Sequence, residues 1–166
     1  MYRFRTRRRR TVSFQEPVVS TELWRTNEWL AARLQTLCQT HYPDVAIENK
    51  LFVRFGRKTI NRFGSIIAKP KKGYSQPVTY ITINGLFVDP SVPEYVIDAT
   101  LLHEFAHYTH GFHSPRPKQH KHPHRGGVVE KEIINRGGEL YLTQQNKWIK
   151  EEYPTYLRSR QGNATK

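Results

Sequence analysis

The most constraining feature of this chain is a run that is apolar almost all round and yet holds three histidines, an aspartate and a glutamate. From Tyr95 to His110 it reads Tyr-Val-Ile-Asp-Ala-Thr-Leu-Leu-His-Glu-Phe-Ala-His-Tyr-Thr-His, with no glycine or proline inside. A helix that is apolar on every side is a buried helix. Ser91 can cap it, Pro93 suits its first turn and Glu94 favours the positive end of its dipole. Gly111 is placed to stop it. Imidazoles and carboxylates are costly to bury unless they are paired or coordinated. The run therefore predicts a chemical site in the middle of the core.

His103-Glu104-Phe105-Ala106-His107 has the spacing H-E-x-x-H. Side chains four residues apart share one helix face, so two imidazoles can converge on one ion. Zinc suits them, with Zn–N distances of about 2.0–2.1 Å. Glu104, one residue round from His103, is not a ligand in this reading. It is the general base for a zinc-bound water, whose pKa the ion lowers to about 7, and it hands the proton to a leaving amine. The expected activity is peptide-bond hydrolysis with one Zn2+ as cofactor.

A third ligand is needed. Seven of the eight histidines fall between residues 103 and 124. His110 is excluded, because seven residues of helix raise it about 10.5 Å above His103. His124, just before the next helical segment, is the expected ligand. His120 and His122 are rivals, and Glu130 would give a His₂Glu site. His113 is not expected to bind.

The rest of the chain predicts an α+β fold. Ser20 or Thr21 can cap a first helix, with Leu23, Trp24, Leu30, Leu34 and Leu37 at helical spacing to about residue 41. Strands are expected over 45–55, 62–68 and 78–83, forming a small, mostly antiparallel sheet. A last helix is expected over about 126–143, with Gly137-Gly138 as a break. The expected organisation is a basic arm at 1–19, one metallopeptidase domain at 20–145 and a polar tail at 146–166. Cys38 stands alone, which excludes an internal disulfide and a cysteine-based zinc ribbon. No run approaches the roughly 18 apolar residues that suggest a membrane span.

The formal net charge is +13. Part of it is the run Arg7, Arg8, Arg9 and Arg10. Acids are also absent from 49 to 88 and from 105 to 129. Such an excess attracts polyanions, and Arg57, Lys58, Lys71 and Lys72 join the arginine run as candidate nucleic-acid contacts. Phosphate contacts of this kind weaken with salt and carry little sequence preference. No apolar segment follows the arginines, so no secretory signal is expected. The expected address is intracellular, cytoplasmic or DNA-associated, and the expected partners are a protein or peptide substrate and DNA.

The ordered motifs resemble the SprT-like and related minigluzincin-type zinc metallopeptidases. The likeness begins at Arg62-Phe63-Gly64-Ser65 and continues through Ile81-Thr82-Ile83-Asn84, Leu86 and Pro93. It peaks at Val96 to His107 and covers about residues 45–136. Phe63 stands where the family more usually has Trp, and the Cys-containing zinc ribbon found downstream in some members has no counterpart in these 166 residues. The resemblance implies a compact domain whose sheet edge holds an extended peptide above the zinc. It also implies a third histidine between the two C-terminal helices, matched by His124-Arg125-Gly126, and substrates bound or crosslinked to DNA. A different reading of the same residues is a non-enzymatic nucleic-acid-binding protein with a structural metal. A metal-dependent hydrolase of a non-peptide bond is a third.

Overall fold

The computed structural model describes residues 24–162. The arm at 1–19, with Arg7, Arg8, Arg9 and Arg10, and the expected caps Ser20 and Thr21 lie outside them. The first helix, α1, spans Asn27–His41. Thr26 caps it, its hydroxyl accepting from the backbone N–H of Trp29. The helix thus starts later than its sequence suggests, and Trp24 stays outside it, exposed. Leu30, Leu34 and Leu37 form the buried stripe.

Three strands follow: β1 (Leu51–Phe55), β2 (Gly64–Lys69) and β3 (Val78–Ile83). The fold is α+β, and its sheet is mixed rather than mostly antiparallel. The order is β1-β3-β2, with β1 parallel to β3 and β2 antiparallel to it. The turn after Lys69 makes β2 and β3 a hairpin, and β1 then pairs with the far side of β3. Residues 45–50, expected in the first strand, precede it.

Asn84 fixes the crossing between β1 and β2. Its side-chain amide donates to Thr59 O and Arg62 O, and its side-chain oxygen accepts from the N–H groups of Thr59 and Leu86. This pins the segment that delivers Arg62 and Gly64 to the start of β2.

The apolar run forms α2, Glu94–Thr109, the central element of the core. It packs against α1, β2, β3 and the next two helices in the chain. Pro93, not Ser91, occupies its N-cap position. Ser91 instead donates its backbone N–H to Asp89 Oδ1, in a turn that precedes the helix. Asp98 on α2 is buried and takes two hydrogen bonds from Arg33, at 2.6 and 2.5 Å. A bidentate pair of this kind satisfies the carboxylate inside the core.

Gly111 ends α2 in the left-handed region, φ 77°. Phe112 N–H then bonds back to His107 O, the pattern of a glycine-stopped helix. Two more left-handed glycines, Gly126 and Gly127, kink the chain into α3, Val128–Asn135. Gly137 and Gly138 separate α3 from α4, Glu139–Glu151, and α5 runs Tyr153–Gly162.

The expected polar tail from residue 146 is therefore helical through residue 162, and residues 163–166 lie outside the described part. Trp148 and Tyr153 are buried against Phe63 and Phe87. No helix among the described residues is long and apolar enough to cross a membrane.

Candidate metal centre

The helix α2 places His103 and His107 on one face, four residues apart, as their spacing requires. Their Nε2 atoms lie 3.2 Å apart. A tetrahedral zinc with Zn–N bonds of about 2.0–2.1 Å separates its ligand nitrogens by about 3.3 Å, so the two imidazoles fit one ion.

His124 completes the group. One nitrogen from each of His103, His107 and His124 lies within 4.8 Å of the others. The His124 ring sits 4.6 Å from that of His107 and 5.5 Å from that of His103. Three histidines are thus close enough to hold a metal ion.

The long histidine-rich loop delivers His124 because it is tied down. Ser114 Oγ donates to Tyr108 O, and Gln119 donates its backbone and side-chain N–H groups to His110 O and Thr109 O. Thr79 Oγ1 donates to His113 O. The loop is therefore anchored on the end of α2 and on β3 before it reaches His124.

The other candidates lie elsewhere. His113 lines a cavity together with the three histidines, but its Nδ1 accepts from Ala68 N–H of β2 at 3.4 Å. His120 stacks edge-on against His110, on the side of α2 facing Glu132. His122 and Glu130 are exposed and outside the three-histidine group.

Burial keeps His103 and His107 in the form that can bind metal. His103 has its pKa lowered by burial, and His107 is pushed down to about 3 by burial and by the neighbouring imidazoles. Both are neutral near pH 7 and carry a free lone pair. His107 Nδ1 is buried without a hydrogen-bond partner. Its ring is therefore held by packing and not by the polar support that metal-ligating histidines usually have.

Glu104 faces the same cavity of about 360 Å³, which is also lined by Arg62, Gly64, Ser65 and Phe112. Burial raises its pKa to about 8, and Arg62 acts in the opposite sense. A cation beside it would favour the carboxylate. A base raised toward neutrality is matched to taking and returning a proton. Arg62 and Phe112 were not legible as site residues from spacing. Arg62 comes from the loop before β2, and only the fold brings it to Glu104.

The basic candidates fall in two groups. Arg57 lines a groove with Arg54 and Arg62, and Lys58 follows it, exposed. Lys71 and Lys72 sit on the β2–β3 turn, with Lys71 over the Phe52 and Tyr74 rings. No family model, no curated protein and no solved structure matches the chain. The likeness to SprT-like peptidases thus rests on the residues that carry it.

Proposed function

We propose that this protein is a zinc metallopeptidase of the H-E-x-x-H type, acting on proteins associated with nucleic acid. The observation that carries the reading is the three-histidine group beside a buried glutamate in one open cavity. Structural zinc sites are closed by four protein ligands, whereas catalytic sites use three and keep a position open. Among the described residues the group has three members. That difference favours catalysis over a purely structural metal.

In this account His103, His107 and His124 hold the ion. Zinc bound there supplies the Lewis acidity that activates water and polarises a scissile carbonyl. Glu104 takes a proton at its carboxylate and returns it to the departing amine nitrogen. Arg62 balances its charge. Gly64, Ser65 and Ile66 of the edge strand β2 line the cavity. They offer backbone groups to an extended peptide, in the manner of strand addition. The excess of basic charge favours substrates that arrive on a polyanion.

The reading is tested by metal analysis of full-length protein prepared without chelators. One zinc per chain is expected, along with cleavage of an unfolded protein that stops on chelation and returns with zinc. Absence of stoichiometric metal would remove the basis of the proposal.

A further inference from the structure

The solvent face of the sheet carries a second constellation, away from the metal group. The register aligns Phe52, Tyr80 and Ile67 in one cross-strand row and Arg54, Thr82 and Ser65 in the next. In these rows the side chains alternate away from the buried Ile81 and Ile83. The Phe52 and Tyr80 rings stack, with centroids 5.6 Å apart and planes 21° from parallel.

Cations cover these rings. Lys50 and Lys71 Nζ lie 5.2 and 4.7 Å from the Phe52 centroid, and the Arg54 guanidinium lies 5.5 Å from that of Tyr80. Lys71 is also 5.4 Å from the centroid of exposed Tyr74. Among the described residues, none of these three cations is in an ion pair. The chain has no acid from 49 to 88 that could supply one nearby in sequence.

From Arg54 a groove of about 590 Å³ runs past Arg57 and Arg62 to Gly64 and Ser65. The last three of these also line the metal cavity. Arg54, over the Tyr80 ring, thus links the aromatic pair to a groove that reaches the metal cavity.

We propose that this face is a platform for single-stranded nucleic acid. Lys50, Arg54 and Lys71 swing off the ring faces to meet phosphates together with Arg57, and the faces they vacate on Phe52 and Tyr80 stack bases. Stacking on aromatic side chains within a basic groove is how single strands are held without sequence preference. A duplex keeps its base faces covered and could use only the cations. An acidic peptide would likewise leave the rings idle. The proposal stands on this surface alone and holds whether or not Glu104 hydrolyses anything.

The test is fluorescence anisotropy with full-length protein and a labelled thymidine oligonucleotide of about 16 nucleotides. A duplex of equal length and excess polyglutamate serve as competitors, and the titrations are run at two salt concentrations. Tighter binding of the single strand than of the duplex is expected. Phe52→Leu and Tyr80→Leu keep apolar bulk without a ring, and each should weaken single-strand binding roughly 10-fold while leaving duplex binding unchanged. Arg54→Gln and Lys71→Gln change exposed side chains and bypass any folding defect of the ring variants. Each should weaken binding and reduce the salt slope by about 0.7. Equal or tighter binding of the duplex would overturn the proposal. So would folded leucine variants that bind as the wild type does, or polyglutamate that competes as well as unlabelled oligonucleotide.

Discussion

Gly64 of β2 leaves no room for a side chain against Glu104 of α2: a Cβ built there would stand 2.6 Å from Glu104 Oε1 and 2.7 Å from Thr100 Cγ2. The glycine lets the edge strand press against the helix and holds the carboxylate in the cavity. Gly64→Ala must therefore displace Glu104 or the strand. A misplacement near 1 Å can cost about 100-fold in rate. Zinc content should persist while hydrolysis falls by that order, read on the same preparation. An alanine variant with full activity would show that Glu104 does not need this wall.

The buried carboxyl also sets a pH dependence. Its folded pKa of about 8 lies above the ordinary 4.5. Between these values the folded protein holds a proton that the unfolded chain has lost, so this group's contribution to stability is lost as pH rises through the window. In metal-free protein, Glu104→Gln removes that loss. The variant should match the wild type at or below pH 4.5 and exceed it by up to about 5 kcal/mol above pH 8. Urea denaturation with chelator present, at the two ends of the window, checks it. A stability gap that does not change with pH would contradict the assigned environment.

His124 is the only member of the histidine group that comes from the loop. His124→Ala should weaken zinc binding by more than the roughly 10–100-fold cost of losing an outer-shell partner. His120→Ala and His122→Ala should leave it unchanged. Competition titration against a zinc chelator measures all three. Equal losses in the His120 or His122 variant would move the site along the loop.

Trp148 tests the C-terminal packing. It is buried to 2% exposure and meets Phe63, Phe87 and Tyr153 edge-on or tilted. Trp148→Ala should cost about 3–5 kcal/mol by urea denaturation. A loss under about 1 kcal/mol would mean that α4 and α5 are dispensable, as a polar tail would be.

These features differ in how far they could be read in advance. The α2 site was legible because helix geometry is local: four residues of spacing fix two imidazoles. The left-handed Gly111 was legible for the same reason. His124 could be placed only by its position before the next helix, because the ties of the loop to Tyr108, His110 and Thr79 are tertiary. The parallel pairing of β1 with β3 has no local signal, and without it Phe52 and Tyr80 are merely alternating strand residues. The helical character of residues 144–162 was hidden because Trp148, Tyr153 and Tyr156 sit among charged neighbours. Only the burial of Trp148 and Tyr153 against Phe63 and Phe87, with Tyr156 packed on both, reveals them as core.

The most direct test of the peptidase account is the cleavage rate of zinc-loaded Glu104→Gln on an unfolded protein substrate, beside the wild type. Glutamine keeps the shape of the side chain and removes the base. The account expects one zinc per chain in both proteins and a rate at least about 100-fold lower in the variant. Cleavage at the wild-type rate by a fully zinc-loaded variant would contradict it.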